Sequence, residues 1–237
     1  MRSTQEIGNA EALLMIYDRL NGHFGNCNWW PAATPLEVIF GAILTQNTNW
    51  KNVEKALENL RAHGLIDPGG PLREPDEKVA RLIRPSGYYN VKTKRLKAFL
   101  RFLHDEYDSS LDAMFDRDMW ALRAELLTVP GIGEETADSI LLYAGGKAIF
   151  VVDTYTQRIL QRTGMITDAW SYQDIQKLFM DNLPHDVGLF NQYHALFVHT
   201  GKDYCRKKPL CEPCPLRGIG NEALCGTLHQ LTGAKGG

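Results

Sequence analysis

The segment from Val129 to Tyr155 constrains this 237-residue chain more than any other. It reads Val129-Pro130-Gly131-Ile132-Gly133-Glu134-Glu135-Thr136-Ala137, then an apolar helical stretch, then Val151-Val152-Asp153-Thr154-Tyr155. Pro130, Gly131 and Gly133 interrupt two helical patterns with a turn too tight for ordinary side chains. A turn of that kind leaves backbone N–H groups at a helix start facing outward, which suits a phosphate. Asp153 opens the helical pattern that follows, and Asp is a favoured N-cap, so capping alone explains an Asp at this place.

Helical spacing extends over almost the whole chain. Leu13, Leu14, Ile16, Tyr17 and Leu20 keep it, as do Val53, Ala56, Leu57 and Leu60. The same period joins Leu96, Phe99, Leu100 and Leu103, and Ala137, Ile140 and Leu141. Further helical patterns cover Asp153 to Arg162, Tyr172 to Leu183 and Leu189 to His199. Gly145-Gly146 is placed to close the helix that starts after the turn. Strand-like alternation is scarce, and Ala148 to Val152 reads as a loop entering the Asp153 helix. The expected class is all-α.

Composition fits a globular protein with a sizeable core, at 44% hydrophobic and 23% charged residues. A net charge of −2 excludes a histone-like binder but conceals local patches. Between Arg81 and Arg101 stand seven basic residues (Arg81, Arg84, Lys92, Lys94, Arg95, Lys97, Arg101) and no acidic one. The run reads equally as a solvated helix face or as a face toward phosphate. No apolar run is long enough to span a bilayer and no signal-peptide pattern opens the chain, so no membrane partner and a cytoplasmic, nucleoid-associated protein are expected.

Four of the five cysteines form a C-x5-C-x2-C-x10-C array: Cys205, Cys211, Cys214 and Cys225. Such clustering points to a metal centre, and tetrathiolate ligation suits zinc or a [4Fe–4S] cluster. Zinc ribbons usually pair two C-x2-C knuckles, whereas this chain has one, flanked by single cysteines. Cys27 stands apart as a small hydrophobe.

The Gly/Pro turn followed by Asp153 resembles the helix-hairpin-helix with Gly/Pro loop and signature Asp of the endonuclease III superfamily of DNA glycosylases. Glu135 stands where the bifunctional branch of that superfamily has a Lys nucleophile, and Asp153 follows it by the superfamily's separation of eighteen positions. The resemblance implies a two-domain helical DNA glycosylase fold with a [4Fe–4S] cluster loop at 205–225. It places a six-helix domain at 37–149 and a discontinuous second domain at 1–36 and 150–237. The last cysteine spacing is longer than the superfamily's, which leaves Cys225 the loosest match.

Three further segments sharpen the likeness: Trp29-Trp30-Pro31, Leu44-Thr45-Gln46-Asn47-Thr48-Asn49-Trp50 and Arg84-Pro85-Ser86-Gly87-Tyr88-Tyr89-Asn90. With Glu135 and Asp153 they look like the 3-methyladenine DNA glycosylase III family. That family implies a base pocket of Trp30, Pro31 and Trp50, wedges at Gln46 and Tyr88, and backbone contacts to DNA at Gly131 and Gly133. Asp153 and Glu135 become the candidate catalytic pair. A flipped base needs such a pocket, and the gap it leaves needs a wedge. Glu135 cannot form a Schiff base, so a monofunctional enzyme is expected, acting as a monomer on damaged double-stranded DNA. Its expected substrates are alkylated purines such as 3-methyladenine, whose positive charge already activates the glycosidic bond. The alternatives are a mismatch uracil/thymine or adenine glycosylase of the same superfamily, and a non-enzymatic iron–sulfur binder of DNA damage.

Overall fold

The computed structural model describes residues 8–30 and 34–219. Within them the chain is helical and contains no strand. It divides into two compact units, Met1–Trp29 with Ala148–Gly237, and Trp30–Lys147.

The continuous unit is built on α2 (Pro35–Leu44), with α3 (Trp50–Ala62), α4 (Asp76–Leu82), α5 (Tyr89–Tyr107), α6 (Leu111–Phe115), α7 (Met119–Thr128) and α8 (Glu134–Ser139). Thr34 caps α2 by accepting from the Glu37 N–H, and Pro35 sits at the first helical position. Every α2 residue from Leu36 to Leu44 is buried, so the helix shows no amphipathic period and is absent from the spacing pattern. Its one charge, Glu37, accepts two hydrogen bonds from Arg61 of α3, at 2.9 and 2.7 Å.

Between α7 and α8, Val129 to Ile132 form a turn in which the Ile132 N–H donates to the Val129 carbonyl at 3.0 Å. Pro130 fills the position that prefers a fixed φ, and Gly131 the one that requires a positive φ, here +91°. The two helices are fastened by a buried ion pair. Arg123 donates to both carboxylate oxygens of Asp138, at 2.6 and 3.0 Å, and Asp138 is fully buried. The helix continues past Ser139 as a π-turn, Ile140–Ala144, and ends at Gly146 with φ +59°. The glycine pair closes the helix as its sequence suggests.

The discontinuous unit consists of α1 (Asn9–Phe24), α9 (Thr154–Arg162), α10 (Tyr172–Asn182) and α11 (Val187–Asp203). Phe150 stacks on Phe179 with centroids 3.6 Å apart, and the buried Tyr193 hydroxyl donates to the Leu13 carbonyl at 2.8 Å. Residues 148–153 form neither helix nor strand, and Gln176 satisfies the Phe150 carbonyl at 2.7 Å. That short apolar run is a loop entering α9. The terminal segment 233–237 lies outside the described residues.

Replacing Arg123 with Met leaves Asp138 buried without its bidentate partner. Urea unfolding at neutral pH should show a loss of about 3–5 kcal/mol, the usual cost of breaking a buried pair from one side.

Candidate active site

Asp153 caps α9. Its Oδ1 accepts from the Thr156 N–H at 2.7 Å, and its side chain is 9% exposed. Its Oδ2 lies 3.6 Å from His194 Nε2 of α11, a contact too long for a hydrogen bond and short enough for electrostatic attraction. Burial raises the Asp153 carboxyl; the imidazole and the Thr156 N–H outweigh it, so the group stays ionised below the ordinary 3.8. Trp29 presents an edge to His194, with centroids 6.4 Å apart, and Lys202 lies over the Trp29 ring at 5.8 Å.

The base-pocket and DNA-binding candidates lie in the continuous unit. Trp50 opens α3 after its cap, Asn49, whose side chain accepts from the Asn52 N–H. The Trp50 indole N–H donates to Glu54 one turn on, at 2.8 Å, which fixes the ring. Trp30 meets Trp50 edge-on at 4.9 Å and lies against Tyr143 at 4.9 Å. Gly41 eases this packing: a Cβ there would sit a tight 3.2 Å from Trp50 and 3.3 Å from Trp30. The three half-buried rings form one aromatic cluster over the middle of α2. Tyr143 was not among the sequence candidates, because it lies in the π-turn, where the register departs from the helical period. Pro31 lies outside the described residues.

Tyr88 is 72% exposed and holds φ +46°, a left-handed conformation rare for an aromatic residue. Gln46 points back onto the protein. Its amide donates to the Gly131 carbonyl at 3.0 Å and to Thr136 Oγ1 at 2.9 Å, and its oxygen accepts from Arg95. The Arg95 stem crosses Gly131 so closely that a Cβ there would meet it at 2.4 Å. Gly133 has an extended backbone and open space beside it, and caps α8 without a side chain. Glu135 is exposed in the first turn of α8.

The basic run is not one face, which corrects both sequence readings of it. Lys92 is 1% exposed and donates to the Leu44 and Ser86 carbonyls at 2.8 and 2.7 Å. Burial, and then Arg95, push its ammonium down to about 8. Lys97 is buried on Asp76 and the Glu74 carbonyl, at 2.5 and 2.6 Å. Arg95 is committed to Gln46, which leaves Arg81, Arg84, Lys94 and Arg101 exposed. On an amphipathic helix the charge at every third or fourth place must turn inward, and spacing does not reveal whether an acceptor waits there.

Cys205, Cys211 and Cys214 line one cavity of about 30 Å³, closed by Ile159, Pro209, Leu210 and Leu216. Burial pushes the Cys214 thiol up, and Cys205 and Cys211 add to the rise. Among the described residues no three such side chains stand close enough to bind a single metal ion. A four-iron cube instead receives each thiolate on a separate iron. Three soft donors around one apolar cavity fit that group; Cys225 lies outside the described residues. Two arginines of α9 hold the loop: Arg158 donates to the Cys205 carbonyl at 2.7 Å, and Arg162 to the Arg206 carbonyl at 2.6 Å and to Cys205 Sγ at 3.3 Å. The half-buried Cys27 thiol is raised by burial, and the backbone N–H of Cys27 donates to Gln192 Oε1.

Comparison with known proteins agrees with this architecture. Residues 40–185 match the HhH-GPD superfamily of base excision DNA repair proteins. A candidate DNA repair glycosylase of Methanocaldococcus jannaschii is 47% identical over 208 residues, 87% of this chain and 94% of the relative. The endonuclease III of Sulfolobus acidocaldarius is 29% identical over 180 residues, 76% of this chain and 78% of that one. Among solved structures, the 3-methyladenine DNA glycosylase of H. pylori bound to 1,N6-ethenoadenine superposes with a TM-score of 0.71 at 29% identity, over 83% of this chain and 98% of that one. An endonuclease III–DNA complex shares the fold, with a TM-score of 0.77 at 23% identity, over 91% of this chain and 97% of that one. The chain belongs to the HhH-GPD superfamily of base excision DNA repair proteins. It is a DNA glycosylase of base excision repair.

The depressed carboxyl of Asp153 has a measurable consequence. A folded value below the unfolded one gives stability that is complete above the unfolded value and lost as pH falls through the folded one. Asp153→Asn keeps an N-cap and removes only the charge. The stability difference between wild type and this variant should shrink as pH falls below the ordinary 3.8. Thermal unfolding as a function of pH checks it.

Proposed function

We propose that this glycosylase is monofunctional and releases alkylated purines such as 3-methyladenine by hydrolysis. The cluster of Trp30, Trp50 and Tyr143 above Gly41 carries the reading. Electron-rich rings attract a cationic base by about 0.5–2 kcal/mol per contact. The likeness to a 3-methyladenine glycosylase supports it. A cationic purine departs neutral, so little general-acid help is needed. Asp153 then stabilises the developing positive charge on the sugar or positions water, as carboxylates do in glycoside hydrolysis. With Glu135 in the nucleophile's place, no Schiff base forms there. In this reading Gln46 and Tyr88 fill the gap left by the flipped base, and the Gly131–Gly133 turn meets phosphate.

The test is base release from duplexes that each carry one lesion, scored with and without alkali. Strand breaks should require alkali, and borohydride should trap no protein–DNA adduct. Trp50→Ala should raise the barrier for 3-methyladenine by roughly 1–3 kcal/mol, the usual worth of a base–aromatic stack, while affinity for undamaged duplex stays level. Efficient removal of mismatched uracil or thymine, with alkylated purines untouched, would favour the mismatch reading instead.

We further propose that Cys205, Cys211, Cys214 and Cys225 hold a [4Fe–4S] cluster, which supplies four cross-links and no step of base release. The shared cavity of the first three supports this reading. Its role is to fix the loop of Arg206, Lys207 and Lys208, all exposed, for contact with DNA. Protein purified without air should be brown with about four irons per chain. Cys214→Ala should weaken DNA binding and loop protection from proteolysis more than base release at saturating protein. Stoichiometric zinc without iron would sink the assignment.

A further inference from the structure

Lys92 has no part in the chemistry above, yet its burial is nearly complete. Its two acceptors are backbone carbonyls, and neither is a carboxylate. Backbone acceptors compensate a buried ammonium incompletely, and an apolar side chain of the same length would fill the space at lower cost. What an ammonium offers that Met or Leu cannot is several donors at one point, able to join separate segments.

The segments it joins are specific. Leu44 ends α2 two residues before Gln46, and Ser86 stands two residues before Tyr88. Lys92 therefore ties the roots of both wedge loops to α5. Arg95, about one turn further along α5, receives Gln46 itself and lies across Gly131. Tyr88, left-handed and exposed, caps the same helix. One end of α5 thus addresses three segments that the proposed function brings to DNA.

We propose that Lys92 is a positioning residue for base flipping: it holds the Gln46 and Tyr88 loops at a fixed separation, so that both act on the same gap in the duplex. The proposal rests on the reading of Gln46 and Tyr88 as wedges. Separate loops would insert independently, each meeting the full cost of opening the stack; loops joined at their roots share it.

The experiment uses the full chain and a duplex containing a tetrahydrofuran abasic analogue with 2-aminopurine beside it. Fluorescence per bound complex, read at saturating protein, reports unstacking by the wedges without depending on lesion preference. Gln46→Ala and Tyr88→Ala should each lower it. Lys92→Met should lower it at least twofold and add nothing further to the Gln46→Ala/Tyr88→Ala double variant. A merely structural lysine would reduce the melting temperature and leave the signal per complex at the wild-type level, which would overturn the proposal. Should Lys92→Met not fold, Lys92→Gln, one atom too short to reach both carbonyls, carries the same test. If both wedge variants match wild type, the wedge reading fails; if they lower the signal and the Lys92 variant does not, only the positioning role fails.

Discussion

Arg95 lying across Gly131 is the contact on which the continuous unit's functional surface depends. Gly131 must be glycine twice over, once for its φ of +91° and once because a Cβ would strike the Arg95 stem at 2.4 Å. With that stem in place, the guanidinium reaches Gln46, and the Gln46 amide returns to the Gly131 carbonyl and to Thr136. Turn, helix and loop thus define one another's position. The Arg123–Asp138 pair secures the other side of the hairpin, so α7 and α8 cannot part without exposing a buried charge. Under the proposed function a rigid turn matters, because phosphate binding by backbone N–H groups depends on their fixed direction.

In the discontinuous unit, α9 performs the corresponding service. It opens on Asp153, and its later turns carry Arg158 and Arg162, which bind the Cys205 segment. Gly201 of α11 leaves room for the Tyr155 ring, since a Cβ there would lie 2.2 Å from Cδ1, so α9 and α11 approach closely. That approach also carries His194 toward Asp153. Cysteine loop and carboxylate are therefore fastened to one helix, and disturbance of the loop reaches Asp153 through a short rigid element rather than a flexible chain.

Local chemistry made much of this readable. The Pro130-Gly131 turn, the Gly145-Gly146 stop and Asp153 as a cap are decided by backbone conformation, and neighbouring residues reveal them. Helices with one wet face appear through their spacing, as α5 and α11 do. Helix α2 does not, because burial on all sides removes the period. The short helices α4, α6 and α7 likewise left no pattern long enough to recognise. Three of the four acceptors of Lys92 and Lys97 lie 21 to 48 positions away along the chain, beyond anything spacing can report. Gln46 illustrates the same limit: its loop is visible in sequence, while the three bonds that fold its amide back onto the hairpin are tertiary.

Those bonds bear on how a wedge at Gln46 would act under the proposed function. Its amide is already satisfied, so insertion into DNA must exchange three protein hydrogen bonds for contacts to bases, with a small net change in free energy. Release of Gln46 also frees the Arg95 guanidinium, a cation beside the turn expected to meet phosphate. A charge freed at that moment has a ready partner in the DNA backbone, and charge-assisted bonds are the stronger kind. Undamaged duplex, which resists opening, offers no such exchange and leaves Gln46 folded back. Tyr88 has no comparable retreat: it is exposed and strained before DNA arrives, which suits the side chain that meets the stack first. Under the proposed function the two side chains thus divide the work by their starting states, one presented and one held until the duplex yields.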